Sequence, residues 1–154
     1  MTPTLSQALP EDAPRLNQIS LAAKMHWGYP RVWLNHWAKD LILTSDDWER
    51  QRIWKLENGP DIIGFCAFLA GREALEINHM WIAPPWMRQG WGRYLLEEAL
   101  RRSPHPFSWI EVVSDPHAIE FYEKLGFVLV GEVESYPPGR MLPVLRRAAQ
   151  PPAR

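Results

Sequence analysis

Residues 75–113 constrain the fold of this chain more than any other part of the sequence. A largely apolar run over 75–82 predicts a β-strand that ends at Pro84-Pro85. Apolar residues then recur at helical spacing over 92–100, and a second strand-like run follows over 107–113. Two strands joined by a helix usually lie parallel in one sheet, because a right-handed crossover returns the chain alongside the first strand. The stretch therefore predicts an α/β fold with a central parallel strand pair.

The N-terminal half has a different pattern, with two helices followed by an antiparallel meander. Acidic residues after Pro10 favour the start of the first helix, and Gly28-Tyr29-Pro30 separates it from a second helix that ends near Asp40. The other predicted elements are strands over 4–8, 52–56 and 62–70, a helix that begins at Asp115-Pro116, and final strands over 127–134 and 141–145. The fold class is therefore α/β with a mixed (α+β) sheet and helices on both faces.

Length, charge and cysteine content exclude several classes of protein. The 154 residues correspond to about one domain, placed at residues 1–147, with a flexible tail over 148–154. The net charge of −1 argues against a nucleic-acid-binding protein. The longest apolar run, 62–70, is far shorter than the ~20 residues of a membrane helix, and the first residues do not resemble a secretory signal. A single cysteine, Cys66, suits the reducing cytoplasm, where we expect this protein.

Gly90 and Gly92 stand between the central strand and the helix that follows it. The start of a helix exposes unpaired backbone N–H groups at its positive end, and glycines let a phosphate approach them closely. The pattern is typical of an anion site, and equally of a tight strand-to-helix turn. A dinucleotide fingerprint needs a third glycine where Leu95 stands, although Glu111 lies at the spacing of a ribose-binding acid. A P-loop is excluded, because no Gly-Lys-Ser/Thr follows.

The segment around Gly90 resembles motif A of the GNAT N-acetyltransferase superfamily, in which a strand ends in an aliphatic residue and proline and Arg/Gln-x-x-Gly-x-Gly/Ala opens a helix. Downstream, Asp115-Pro-His-Ala-Ile-Glu-Phe-Tyr-Glu-Lys-Leu-Gly-Phe127 is similar to motif B, commonly Asn-x-x-Ala-x-x-Phe-Tyr-Glu-Lys-Leu-Gly-Phe. The two motifs have the family's order and spacing, and the predicted elements follow its element order over nearly the whole domain. Met87 stands where the family has Arg or Gln, and Asp115 replaces the common Asn.

The resemblance implies a GNAT fold whose central strand pair is splayed around acetyl-CoA, the acyl donor. The glycine loop and helix start would bind the pyrophosphate. The pantetheine arm would pair with the main chain of the central strand, where a backbone N–H would polarise the thioester carbonyl. The implied cofactor-binding residues are Met80, Trp81, Ile82, Met87, Arg88, Gln89, Gly90, Trp91, Gly92, Arg93, Asp115 and Tyr122.

Two residues match positions that carry acid–base chemistry in this superfamily. Tyr122 matches the tyrosine that protonates the departing CoA thiolate, although its spacing is also that of a core tyrosine on a helix. Glu76 matches the general base of the histone-acetylating branch, here acting through water, and is equally compatible with a solvent-facing strand residue. His79 is a rival base that strand alternation places on the opposite face from Glu76.

Aromatic residues in the first two helices are the candidates for recognition of the acceptor, which in this superfamily enters near these helices and the last strands. Trp27, Tyr29 and Trp33 would line a pocket that holds a cation or a flat group, although most large aromatic side chains are expected in the core. Arg140, in a candidate flap over 135–143, would meet a substrate carboxylate or would be a solvated turn residue. Both segments look similar to a bacterial subgroup of the superfamily.

The sequence therefore predicts an acetyl-CoA-dependent N-acetyltransferase. The expected acceptor is a primary amine of a small molecule, attacked directly in a ternary complex, because the sequence has no acidic groove for a lysine tail. The alternative is a catalytically silent module of the same fold that senses CoA or binds a partner. We expect a monomer or homodimer and no metal site, since the five histidines are scattered without ligand spacing.

Overall fold

The computed structural model describes residues 2–149 and contains a seven-stranded mixed sheet with five α-helices. The strands follow the order β1-β2-β3-β4-β5-β7-β6. In chain order the elements are β1 (Thr4–Gln7), α1 (Ala13–Met25), α2 (Arg31–Leu41), α3 (Ser45–Arg50), β2 (Gln51–Asn58), β3 (Asp61–Ala70), β4 (Leu75–Ile82), α4 (Trp91–Arg101), β5 (Trp109–Val113), α5 (Ile119–Lys124), β6 (Val128–Glu134) and β7 (Met141–Ala148). Short 3-10 turns cover Pro10–Asp12, Pro84–Trp86 and Pro116–Ala118.

The predicted central pair is confirmed, because β4 and β5 are parallel. Leu75 pairs with Ile110 and Ile77 with Val112, so that Glu76 lies beside Glu111. Three further pairs of strands are antiparallel: β1 with β2, β5 with β7, and β6 with β7. The mixed α/β fold predicted from the sequence is therefore the fold observed.

Within the described residues the chain contacts divide into two units. The first comprises the residues up to Phe68 together with His79–Pro104, and the second comprises Leu69–Asn78 and the residues from His105 onward. Both β3 and β4 contribute to each unit.

The core of the first unit forms between α1 and the strands of the meander. Leu16 and Ile19 of α1 are fully buried and cluster with Phe65 and its neighbours. Trp48, Trp81 and Trp86 pack against this cluster as partly buried side chains. On α4, the predicted apolar face is confirmed by the burial of Leu95, Leu96 and Ala99. Hydrophobic burial of this kind supplies most of the free energy that holds these elements together.

Helix α3 was not predicted from the sequence. Its first turn is stabilised by a reciprocal capping box: the Asp47 N–H donates to Thr44 Oγ1 at 3.4 Å, and the Thr44 N–H donates to Asp47 Oδ2 at 2.7 Å. The Thr-x-x-Asp spacing is the available signal. It is weak because the six residues of the helix include only one large apolar side chain, Trp48.

The second unit contains α5 and the strands β5, β7 and β6. Asp115 caps the turn before α5 as predicted, accepting a hydrogen bond from the His117 N–H at 2.8 Å.

Strand β7 is longer than predicted and runs to Ala148, so the predicted tail begins inside it. Residues 150–154 of that tail lie outside the described residues. No helix within residues 2–149 has the length and apolar character required to cross a membrane.

Candidate active site

The loop between β4 and α4 is fixed in an unusual backbone conformation. Gly90 is the N-cap of α4 with φ of +88°, and Arg88 is a non-glycine residue with φ of +60°. Hydrogen bonds within the loop hold this shape, since the Met87 N–H donates to the Pro84 carbonyl at 3.2 Å and Gln89 Nε2 to the Pro85 carbonyl at 3.0 Å. A left-handed conformation favours glycine because a side chain is disfavoured there, so Gly90 suits the second of these two positions.

The N-terminus of α4 is the candidate site for an anion. No side chain caps the helix and no acidic residue stands in its first turn, so its first N–H groups and the positive end of its dipole face no competing carboxylate there. A Cβ added at Gly90 would meet no atom within 4 Å, so the space around this N-cap residue is open. Arg88 and Arg93, which stand on either side of Gly90 in the sequence, are both exposed. The residues present fit a pyrophosphate group.

The C-terminal half of β4 lies under close packing that the sequence did not predict. A Cβ at Gly64 of β3 would stand 2.9 Å from the Trp81 carbonyl oxygen and 2.7 Å from Ile82 Cδ1. Glycine is therefore needed at this position for β3 to approach the backbone of β4 closely. The available signal is an isolated glycine inside an apolar strand, Ile62-Ile-Gly-Phe65. Met80, Trp81 and Ile82 themselves are half-buried.

Gly64→Ala is expected to lower the free energy of unfolding by about 1–3 kcal/mol, because the added methyl group meets backbone that cannot yield cheaply. Urea unfolding followed by circular dichroism measures this change. Gly131→Ala is the matched control, since Gly131 also lies in a strand and an added Cβ meets nothing within 4 Å. Equal destabilisation by the two substitutions would contradict the close approach at Trp81.

His79 lies on β4 two residues before Trp81 and is buried with 6% of its surface exposed. Its Nδ1 accepts a hydrogen bond from the Trp81 indole N–H at 3.0 Å. Since the indole nitrogen is only a donor, Nδ1 is unprotonated and the ring is neutral with its proton on Nε2. Burial lowers the pKa of His79 to about 4, against a smaller opposing effect of Asp47. A buried, neutral ring with one nitrogen already engaged is a poor general base.

Tyr122 lies on α5 in the second unit and is buried, with 4% of its surface exposed. Its ring makes edge contacts with Phe121 and Phe127, at centroid distances of 5.0 and 5.4 Å. Its backbone carbonyl accepts the N–H groups of Leu125 and Phe127, at 3.0 and 3.1 Å, which closes the helix before the strand β6. Both the core and the acid interpretation require such a fixed ring.

Glu76 is half-buried on β4 in the second unit, with its carboxylate packed over a glycine turn. A Cβ at Gly71 would stand 2.8 Å from the Ala74 carbonyl oxygen and 2.8 Å from Glu76 Oε1, so the backbone of this turn requires glycine at residue 71. On the neighbouring strand, Glu111 is paired with Arg146, whose Nε lies 2.7 Å from Glu111 Oε2. Neither the close approach of Gly71 to Glu76 nor the Glu111–Arg146 ion pair was predicted from the sequence.

The candidate acceptor residues are only partly brought together. Tyr29 and Trp33 contact each other at 6.0 Å between ring centroids, and both contact Trp37. The Lys24 ammonium lies 4.5 Å from the Trp37 ring and 5.0 Å from the Tyr29 ring, so these aromatics already hold one cation. Trp27 instead packs edge-on against His26.

Arg140 belongs to the second unit, where it closes the turn between β6 and β7. Its N–H donates to the Pro137 carbonyl at 3.0 Å, and its carbonyl accepts the Ser135 N–H at 2.8 Å. Glu134 stabilises the same turn, because its Oε1 accepts the Gly139 N–H at 2.8 Å. The predicted flap is thus an ordered hairpin turn with a half-buried Arg140.

Comparisons with known proteins point to one family. Residues 49–129 match the model of the acetyltransferase (GNAT) domain. The chain is 30% identical over 105 residues to the peptidyl-lysine N-acetyltransferase YiaC of Escherichia coli K12, covering 68% of this chain and 69% of the relative. Among solved structures it is similar to the PaiA N-acetyltransferase of Thermoplasma acidophilum in complex with coenzyme A, with a TM-score of 0.76, 13% identity, and coverage of 96% of this chain and 99% of that one. A GNAT acetyltransferase of Brucella melitensis in complex with acetyl-CoA gives a TM-score of 0.66 at 16% identity, covering 99% and 91%.

Proposed function

Since this chain belongs to the GNAT family and is an N-acetyltransferase, we propose that it transfers the acetyl group of acetyl-CoA to a primary amine of a small molecule by direct attack in a ternary complex. The observation that carries the donor site is the uncapped start of α4 behind the left-handed Gly90. Acetyl-CoA is the donor used by this family, and the thioester supplies an activated acyl group.

Different groups bind the two parts of the donor, the pyrophosphate and the pantetheine arm. The backbone N–H groups at the start of α4 bind the pyrophosphate oxygens, and Arg88 and Arg93 add charge from exposed positions. Residues Met80 to Ile82 provide main-chain partners for the pantetheine arm, and a backbone N–H there polarises the thioester carbonyl. Gly64 keeps this backbone in place by allowing β3 to lie against the Trp81 carbonyl.

Two side chains move the protons of the reaction. The amine nitrogen forms a bond with the acyl carbon while the carbon–sulfur bond breaks, so one proton leaves the nitrogen and one is needed at sulfur. Glu76 accepts the proton of the attacking amine through water, from its position beside the turn at Gly71. Tyr122 gives its phenolic proton to the departing thiolate. We place this reaction in the cytoplasm, where a protein with one buried thiol at Cys66 is stable.

A second acceptor class is favoured by one observation, the similarity to a peptidyl-lysine N-acetyltransferase. A lysine side chain of a protein presents the same primary amine on a flexible chain. The two acceptor classes differ in what surrounds the amine, so a panel of small polyamines and aromatic amines beside lysine-containing peptides separates them. Thiol release from acetyl-CoA is the common readout, and a silent CoA-binding module would bind the donor but release no thiol with any acceptor.

Gly90→Ala is expected to weaken acetyl-CoA binding by at least about tenfold, because the methyl group enters open space at the N-cap of α4, where the pyrophosphate is proposed to bind. Isothermal titration of the purified chain with acetyl-CoA measures this change. Gly139→Ala is the matched control, since Gly139 has φ of +89° and equally open surroundings, so both variants carry the same backbone strain of about 1–2 kcal/mol. Unchanged binding by Gly90→Ala would contradict the donor site.

A further inference from the structure

Two glutamates stand side by side on the parallel strands of the second unit. The register pairs Glu76 of β4 with Glu111 of β5, and paired residues of neighbouring strands project from the same face of a sheet. The pairing of these strands runs from Leu75 with Ile110 to Ile77 with Val112, so both glutamates lie in the middle of this short contact. Like charges directly opposite each other destabilise a strand pair, so the arrangement favours a compensating charge nearby.

Arg146 of β7 supplies that charge. It is the register partner of Glu111, and its Nε donates a hydrogen bond to Glu111 Oε2 at 2.7 Å. The two side chains are only 26% and 23% exposed, so water screens this ion pair incompletely. Arg146 Nη2 also lies 3.6 Å from Glu73 Oε2, but Glu73 is 79% exposed and this second contact is weak. Hydrogen bonding to Glu111 raises the pKa of Arg146, which keeps the guanidinium charged.

The two neighbouring carboxylates have different surroundings. In the sheet order β3-β4-β5-β7, Glu76 Oε1 lies beside Gly71 on the β3 side of β4, whereas Arg146 binds Glu111 from the β7 side of β5. Among residues 2–149, Glu111 and Glu73 form ion pairs and Glu76 forms none.

The charged groups on the same face of the second unit as Glu76 come from three elements. They are Glu111 of β5, Arg146 of β7 and Glu73 of the turn between β3 and β4. The last residues of β3 before that turn, Leu69 and Ala70, carry no charge. The charge balance beside Glu76 is therefore set mainly by Glu111 and Arg146.

We propose that Arg146 is a positioning residue for the acid–base chemistry: by binding Glu111 it withdraws that carboxylate from the reaction and leaves Glu76 to accept the proton of the amine. Protonation of Glu111 would break a charge-assisted hydrogen bond, so Glu111 is a poor proton acceptor. Without Arg146, the uncompensated charge of Glu111 would favour the protonated form of Glu76, which cannot act as a base. The inference rests on the proposed function, in which Glu76 is the general base.

Removal of each charge is expected to move the titration of Glu76 in a different direction. Carbon NMR of protein labelled at the glutamate carboxyl carbons follows this group without any need for turnover, and Glu76→Gln identifies its signal. Arg146→Gln leaves Glu111 uncompensated and should move the titration midpoint of Glu76 to higher pH by about 0.5–1 pH unit. Glu111→Gln leaves Arg146 uncompensated and should move the midpoint to lower pH. The double variant removes both charges and should return the midpoint to that of the parent.

Arg50→Gln is the matched control for these variants. It removes the same charge from an exposed ion pair with Asp46 on α3, and it should leave the titration of Glu76 unchanged. Circular dichroism checks that each variant is folded. Glu111→Gln leaves no carboxylate without its cation, so its opposite shift tests the inference even where Arg146→Gln does not fold. Equal midpoints in the parent, Arg146→Gln and Glu111→Gln would overturn the inference.

Thiol release from acetyl-CoA with the panel of polyamines, aromatic amines and lysine-containing peptides separates this inference from the proposed function. Glu76→Gln is expected to lower kcat by at least about 10²-fold, whereas Glu111→Gln should stay within about fivefold of the parent. An equal loss in Glu111→Gln would mean that Glu111 takes part in proton transfer, and would overturn the inference. Full activity in Glu76→Gln would overturn the proposed base and the inference with it, whereas unmoved NMR midpoints beside an inactive Glu76→Gln would overturn the inference alone.

Discussion

Tyr122→Phe is expected to lower kcat for acetyl transfer by about 10²- to 10⁴-fold, the range that a positioned acid contributes. The substitution removes only the hydroxyl group, and the ring contacts of Tyr122 with Phe121 and Phe127 are available to phenylalanine. Fold and acetyl-CoA affinity should therefore be retained, so that the loss falls on turnover. Steady-state thiol release, combined with titration calorimetry of the same preparation, separates the two effects.

A second tyrosine provides the control for this experiment. Tyr94 of α4 is half-buried and contacts Trp91 edge-on at 5.9 Å, and Tyr94→Phe should leave kcat within about twofold of the parent. Full activity in Tyr122→Phe would mean that water or another group protonates the thiolate, and Tyr122 would then be a core residue.

The stability of the protein is expected to fall by about 2 kcal/mol between pH 7 and pH 5 through His79 alone. Burial lowers the pKa of His79 to about 4, whereas the ordinary value in an unfolded chain is about 6.5. Between pH 6.5 and pH 4, His79 binds a proton in the unfolded chain but stays neutral in the folded chain, so acid favours unfolding. The stability contributed by neutral His79 is fully present above the pKa of the unfolded state and is lost as the pH falls through the pKa of the folded state. The total loss in the free energy of unfolding is about 3 kcal/mol.

Urea unfolding at several pH values measures this slope. His79→Gln should flatten most of it, since glutamine accepts a hydrogen bond from the Trp81 indole without titrating. His105 is the comparison, because burial also lowers its pKa but its side chain is less enclosed, and His105→Gln should leave most of the slope in place. A pH dependence that is unchanged in His79→Gln would mean that the carboxylates dominate acid unfolding.

The sequence predicted those parts of the fold that depend on residues close together in the chain. Apolar spacing placed α4, and Asp115 with Pro116 placed the turn before α5, because each pattern acts within a few residues of itself. The parallel pairing of β4 and β5 followed from the crossover between them. The predicted ends of strands differ from the observed ends where a strand depends on its partner. Strand β7 runs three residues beyond the predicted end at Leu145 because it pairs with β5 as far as Ala148.

The parts of the site that escaped prediction depend on contacts between distant residues. The need for glycine at position 64 exists only because the Trp81 carbonyl lies 2.9 Å from its absent Cβ, seventeen positions further along the chain. In the same way, the hydrogen bond from the Trp81 indole that occupies His79 Nδ1 cannot be read from the strand pattern. The position of Lys24 over Trp37 and Tyr29 depends on how α1 and α2 meet.

The loop from Pro84 to Gly90 has a thermodynamic consequence for the donor. Its two prolines restrict the backbone, and the Met87 N–H and the Gln89 amide are already bonded to the carbonyls of those prolines. A flexible loop loses conformational entropy when a ligand orders it. This loop loses that entropy during folding instead. Binding of acetyl-CoA at the proposed donor site should therefore be accompanied by little ordering of this segment, and the association rate should be governed by diffusional encounter.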